Sequence, residues 1–244
     1  MTNLDENIIV FSQPHGGLGD NLLYSTLPEK FAAIGKKFYV SSQNVVRNQS
    51  TFDLVWGRNP YVHGVIDAPV NAGDRSYAQY ASSPKILNII SRIEAAHGFD
   101  PSGLVPKLYF QPKFIEELAD KIIIDVNSTS IGFSNENISS YLFQMFEWYK
   151  LDREKSLQIT LESGAYVKNI FRIDGIDPIQ LSNLYHYCDV IYSCRAFVTV
   201  HSGAHCLAAA LRHDPSRKIV TCLVSRDFYN ARMAIFPGIE YFVV

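Results

Sequence analysis

Two short glycine-bearing segments hold the residue types that can do chemistry. The first is His15-Gly16-Gly17-Leu18-Gly19-Asp20-Asn21, between a β-branched run and a helical pattern. Gly16, Gly17 and Gly19 allow positive φ and close approach of a ligand, and a helix N-terminus turns free N–H groups and a positive dipole toward an anion. Asp20, with Asn21 beside it, sits in the first turn of that helix. A carboxylate placed there can take a proton from an attacking hydroxyl when its surroundings aim it. The alternative reading is an acid that complements the helix dipole, worth about 0.3–1 kcal/mol. The second segment is His201-Ser202-Gly203-Ala204-His205-Cys206, again between a strand pattern and a helix. Ser202 suits an N-cap whose hydroxyl, with the amides of Gly203 and Ala204, faces a phosphate. His201 and His205 suit donors or charge partners beside a diphosphate, a packed histidine being the alternative for each. His201 precedes the helix, no Glu separates the pair as in H-E-x-x-H, and no C-x-x-C accompanies them, so no metal site is expected. Cys206 reads as a small buried hydrophobe.

Other nucleotide chemistries fit poorly. A dinucleotide fingerprint needs G-x-G-x-x-G spacing and an acid at the end of the second strand, which here runs Val40-Ser41-Ser42-Gln43. A Walker A loop needs Lys and Ser/Thr where Asp20 and Asn21 stand. Lys+Arg 22 against Asp+Glu 24 gives a net charge of -2, too little positive field for a nucleic-acid partner. With 47% hydrophobic and 19% charged residues in 244, the chain has enough apolar surface for a sizeable core. The opening MTNLDENIIVF carries acids where a signal peptide carries bases, so a cytoplasmic location is expected. No apolar run reaches the length of a transmembrane segment. Cys188, Cys194, Cys206 and Cys222 are expected as reduced, mostly buried thiols.

The elements that must position the two segments alternate. Strands are expected at Ile8–Ser12, Lys37–Ser41, Tyr61–Ile66, Ile122–Val126, Ala165–Asn169, Ala196–Val200 and Lys218–Val224, with a strand-like end at Tyr241–Val244. Helices are expected from about Asn21 to Ile34, stopping at Gly35, at Ser83–His97, from Phe114 to Ala119, and at Ile138–Tyr149, Ile179–Cys188 and Ala204–Leu211. Alternation of this kind implies an α/β fold with parallel sheets. Three prolines between Gly98 and Pro112 mark a boundary. Domains are therefore expected at 1–116 and 117–244, two small Rossmann-like doubly wound units with ligands outside the carboxyl ends of their strands. One larger sheet is the competing architecture. Phe133, Tyr141, Phe146 and Trp148 read either as helix-spaced core or as a surface that stacks an acceptor.

Three passages resemble the ADP-heptose:lipopolysaccharide heptosyltransferase family: GGLGDNLLYSTLPEKFAAIGKKFYV, RIEAAHGFDPSGLVPKLYFQP and FVTVHSGAHCLAAALRHDPSRKIVTCLV. The resemblance implies a GT-B glycosyltransferase, with two Rossmann-like domains facing a cleft, the first acceptor-side and the second holding a nucleotide sugar. It implies inverting, metal-independent transfer to a glycan or other hydroxyl acceptor, no cofactor, Asp20 as catalytic base, and Ser202 and Gly203 as the diphosphate turn. The sequence departs from the family at His201, where an acid is usual, and at Cys206, which takes the place of a His and leaves His205 one position early. The loop NSTSIGFSNEN has no basic residue, so Arg195, Arg226 or Arg232 is expected to take over charge neutralisation. The family's C-terminal helices are expected to be missing, which makes the fold compact and C-terminally shortened. Two alternatives remain open: a non-catalytic nucleotide- or sugar-binding module, and a nucleotide-sugar epimerase.

Overall fold

The computed structural model describes residues 6–73, 88–127, 135–160, 172–211 and 220–244. The chain forms two compact units, Met1–Gln111 with Ala231–Phe236 and Pro112–Asn230 with Pro237–Val244. Each has its own parallel sheet, so the single-sheet alternative falls.

In the first unit the strands are β1 (Ile8–Ser12), β2 (Lys37–Ser41), β3 (Val62–Ile66) and β4 (Ala72–Gly73), in the order β3-β2-β1-β4 and all parallel. The expected helix from Asn21 to Ile34 is two helices, α1 (Leu18–Leu23) and α2 (Leu27–Ala33). Pro28 explains the break: its ring clashes with the carbonyl four residues back and it has no N–H to donate. The Tyr24 carbonyl that Pro28 cannot serve accepts from Leu27 N at 3.1 Å instead, and the Ser25 hydroxyl donates to Leu22 O at 2.7 Å. The stop at Gly35 is a Schellman turn, with φ 77°, Gly35 N bonded to Ala32 O at 2.9 Å and Lys36 N to Phe31 O at 3.1 Å. α3 (Gln49–Phe52) runs into a π-turn at Asp53–Gly57, which brings Trp56 into the core. There Phe11 meets Tyr24, Phe38 and Trp56 with ring centroids 5.3–5.5 Å apart. Of the expected helix at Ser83–His97, α4 (Ile89–Ala96) is present with Asn88 as its cap, and residues 83–87 lie outside the described residues. The returning segment 231–236 adds buried Ala234 and Phe236, and its Ala231 carbonyl accepts from Arg92 at 2.7 Å.

The second unit holds β5 (Ile122–Asp125), β6 (Ser156–Thr160), β7 (Asp177–Gln180), β8 (Ala196–Val200), β9 (Val220–Val224) and β10 (Glu240–Val243). All are parallel in the order β10-β9-β8-β5-β6-β7, which read from its other end is the doubly wound 3-2-1-4-5-6 order. The helices are α5 (Asn135–Trp148), α6 (Leu184–Ser193), α7 (Gly203–Leu211) and α8 (Arg226–Asn230). Ile122, Ile124, Val126, Val198 and Val200 pack beneath Ile138, Leu142, Met145 and Phe146 of α5.

Several expectations are corrected here. The helix expected at Ile179–Cys188 begins only at Leu184, because Asn183 caps it by accepting from His186 N at 2.9 Å, and Ile179 lies in edge strand β7. The helix expected from Phe114 is one 3-10 turn, Glu116–Leu118. Strand β6 was not anticipated: it buries Ser156 and Gln158, so its inward face lacks an apolar signature. The strand expected at Ala165–Asn169 lies outside the described residues.

Candidate functional site

In the first unit the strand order turns back on itself at β1, where β2 lies on one side and β4 on the other. Crevices at the carboxyl ends of such strands are where doubly wound sheets take ligands. The glycine turn leaves β1 at that edge. None of Gly16, Gly17 and Gly19 is among the glycines with positive φ, and Gly17 is extended at φ −68°, ψ 154°. Their role is therefore close approach, not left-handed backbone. A Cβ on Gly17 would sit 2.6 Å from the Asp20 Oδ2 atom, and one on Gly16 would sit 3.1 Å from Val45 Cγ1 and 3.2 Å from Arg47 N. Asp20 is half-buried, its carboxyl group folded back over Gly17.

Asn21 points into the interior. It is fully buried, donates from Nδ2 to Gly17 O at 2.9 Å, and accepts at Oδ1 from Trp56 Nε1 at 2.8 Å and Gln13 Nε2 at 3.3 Å. It ties the turn to the core. Gln13, also buried, donates to Val45 O at 2.9 Å and accepts from His15 N at 2.7 Å. Arg47 N donates to Gly16 O at 2.9 Å, so the loop after β2 is fastened along the turn. A Cβ on Gly17 would also lie 3.9 Å from the Arg47 guanidinium, so Arg47 and Asp20 flank the same glycine. Sequence reasoning missed Arg47, since only the parallel pairing of β1 and β2 carries it to that edge. Beside the turn a cleft of about 530 Å³ is lined by Ser12, Gln13, Pro14, Gln43, Val45 and Asn71, among others. Asp20 is not among its lining residues.

In the second unit the strand order reverses between β5 and β8. Asp125, at the end of β5, is buried, and its Oδ1 accepts from Asn127 N at 3.0 Å and Asn127 Nδ2 at 2.9 Å while Oδ2 accepts from the Tyr187 hydroxyl. Burial pushes the Asp125 carboxyl up from its ordinary value, against the downward pull of the Tyr187 and Asn127 hydrogen bonds. Burial, then the Asp125 charge, raises the Tyr187 hydroxyl well above its own. The proton therefore stays on Tyr187. Replacing Tyr187 by Phe is expected to destabilise the fold by about 1–3 kcal/mol, because the carboxyl group loses a partner inside the protein. A raised carboxyl pKa favours the fold below the ordinary aspartate range, and that contribution declines as pH rises toward the folded-state value. Losing the Tyr187 donor raises the pKa further, so the urea-unfolding penalty of Tyr187→Phe is larger at neutral pH than below about pH 4. Equal penalties at both would show that the pair does not carry this linkage.

Following β8, Ser202 behaves as the cap expected of it, but its Oγ accepts from Ala204 N at 3.2 Å, so that amide is occupied within the turn. His205 is fully buried, and its Nδ1 lies 2.7 Å from Ser202 O and 3.2 Å from Ser202 N, which ties the ring to the turn. His201, Ser202 and Gly203 are half-buried. The His201 ring lies 4.6 Å from that of His205, tilted against it, and 5.0 Å from that of Phe228, stacked on it, centroid to centroid. All four cysteines are free and buried. Of the three arginines, Arg195 precedes β8 and sits on the opposite, amino edge of the sheet, its N–H bonded to Lys121 O at 2.8 Å. Arg232, exposed with φ 51°, belongs to the segment that packs with the first unit. Arg226 opens α8 just past β9, on the same edge as Ser202. Most of the loop after β5 lies outside the described residues.

These features define a class of fold: two parallel α/β units, each with a small-residue turn at the carboxyl edge of its sheet. No protein-family model matches the sequence, and no curated protein does. Solved structures do share the fold. The iron-containing dodecameric glycosyltransferase TibC from enterotoxigenic E. coli H10407 is similar at 16% identity and a TM-score of 0.62, over 95% of this chain and 61% of that one. A family 9 glycosyl transferase from Veillonella parvula DSM 2008 is similar at 9% identity and 0.58, over 100% and 87%. E. coli ADP-heptose lipopolysaccharide heptosyltransferase II is similar at 12% and 0.56, over 96% and 90%. The chain thus has the fold of heptosyltransferase-like glycosyltransferases, and it spans 61% of the length of TibC. Among the described residues no group of three or more His, Cys, Asp or Glu side chains is placed to hold a metal such as the iron of TibC. No helix among them is long and apolar enough to cross a membrane.

Proposed function

We propose that this protein is a cytoplasmic glycosyltransferase of GT-B type, with the first unit on the acceptor side and the second holding a nucleotide sugar. In this reading Asp20 takes the proton of an acceptor hydroxyl, on a glycan or another molecule, as its oxygen attacks the anomeric carbon. The bond from that carbon to the diphosphate breaks, and the sugar, a hexose or heptose, is transferred with inversion and without a metal. Charge growing on the leaving diphosphate is met by the Gly203 amide, the α7 N-terminus, Ser202 and His201, with Arg226 the nearest candidate cation. His205 and Asn21 act by holding the two turns.

The observation that carries this reading is fold likeness to glycosyltransferases along nearly the whole chain, with a half-buried carboxylate at the carboxyl edge of the first strand. TibC is known in complex with ADP-D-beta-D-heptose and E. coli WaaC with ADP, which makes ADP-sugars the first donors to test. A non-catalytic binding module is the second reading, favoured by the withdrawal of His205 into the core. A thermal-shift screen against ADP, GDP, UDP and CDP sugars is expected to show stabilisation by one of them, about 2.7 kcal/mol at a hundredfold excess over Kd. With that donor, product is expected only when acceptor is added, and at a rate unaffected by chelator. Stabilisation without consumption would establish the module, and no stabilisation by any nucleotide would remove both readings.

A further inference from the structure

Helix α5 turns Ile138, Leu142, Met145 and Phe146 into the core, positions i, i+4, i+7 and i+8 of one stripe. Its other face groups Phe143, Gln144, Glu147 and Trp148 as i, i+1, i+4 and i+5, a compact quartet of two rings, an amide and a carboxylate. Phe143 is 54% exposed and Trp148 76%. With Phe242 of β10 these residues line a recess of about 550 Å³. The Arg153 guanidinium lies 5.3 Å from the centroid of the Phe143 ring and 5.6 Å from that of Phe146, which steadies the Phe143 ring. The core does not require these exposed rings, and clustered exposed aromatics mark interaction surfaces.

We propose that this face is a carbohydrate-binding site, separate from the glycine turns, for a neutral pyranose sugar. One face of a pyranose ring presents axial C–H bonds and stacks on an aromatic ring, whose negative π-face attracts them. The hydroxyls at its rim need both acceptors and donors, and Glu147 and Gln144 supply them between the two rings. A membrane surface fits less well, because interfacial helices carry Lys and Arg along their own polar side, whereas α5 has neither and carries Glu147 there, Arg153 lying beyond its end. The assignment stands apart from any chemistry at Asp20.

The chain has two tryptophans, and Trp56 is fully buried, so emission changes on adding sugar report Trp148. Titrating the full chain with lactose, cellobiose and maltose is expected to give a saturable emission shift with at least one, at a Kd of about 1 mM. Ligand-observed saturation-transfer NMR follows the same binding without tryptophan. By that readout Trp148→Ala is expected to weaken binding about tenfold, and Glu147→Gln to weaken it as well. Thermal unfolding of both variants is expected to match the parent, since both side chains are exposed. The proposal is overturned if none of the three sugars binds saturably or if Trp148→Ala binds undiminished. An emission shift that follows protein concentration alone, with dimers in sedimentation, overturns it in favour of a second copy of the chain.

Discussion

Asp20→Asn is expected to lower turnover by about 10²–10⁴-fold and to leave nucleotide-sugar affinity unchanged. The amide keeps the shape of the carboxylate, which matters because Gly17 leaves it so little room: a Cβ there would sit 2.6 Å from Oδ2. An amide has no usable basicity, so the acceptor hydroxyl would have to attack with its proton still bound. Asp20 lies in the first unit and the proposed donor turn in the second, which is why binding is expected to survive. The check is single-turnover transfer together with calorimetric donor titration. Asp20→Asn turning over at the parental rate would remove the proposed base, and lost donor affinity would reassign Asp20 to binding.

The largest expected stability effect belongs to the neighbouring residue. Asn21→Ala is expected to destabilise the fold by about 3 kcal/mol in urea unfolding, from one orphaned donor plus a weakened network. Trp56 Nε1 loses its acceptor in a fully buried setting, whereas Gln13 Nε2 keeps Val45 O and the Gly17 carbonyl keeps the Asn21 N–H. Most of the loss should therefore trace to the indole N–H. Replacing Trp56 by Phe in the same background removes that donor, so the double variant should lose clearly less than the sum of the single losses. Simple additivity would show that the hydrogen bond to Trp56 is not what Asn21 contributes.

Where local pattern and burial agree, the elements were legible. β1, β2 and β8 occupy the ranges their apolar runs imply, and Gly35 closes α2 with the left-handed turn its position suggests. Where polar residues point inward, legibility failed: β6 buries Ser156 and Gln158, and Gln158 Oε1 accepts from Ile173 N at 2.8 Å, a partner no periodicity reveals. β7 was hidden differently, since Asp177-Pro178 suits only an edge strand. The aromatics of α5 divided, Phe146 going to the core and Trp148 to the surface, because a helix turns residues two apart to different faces. Tyr141 is partly buried against the core, and Phe133 lies outside the described residues.

The chain alone determined that a carboxylate follows a glycine shoulder at the start of a helix, and that a second small-residue turn recurs after a later strand. Both are local facts, written in spacing that a strand and a helix translate directly. Only the tertiary structure decided which neighbours those turns have. Parallel pairing of β1 with β2 brings Arg47 to the glycine shoulder beside Asp20, the reversal at β5 and β8 sets the buried Asp125–Tyr187 pair at the same edge as His201, and packing of α7 withdraws His205 into the interior. Such meetings depend on which strands lie side by side, and contacts between residues far apart in sequence leave no periodic trace along the chain.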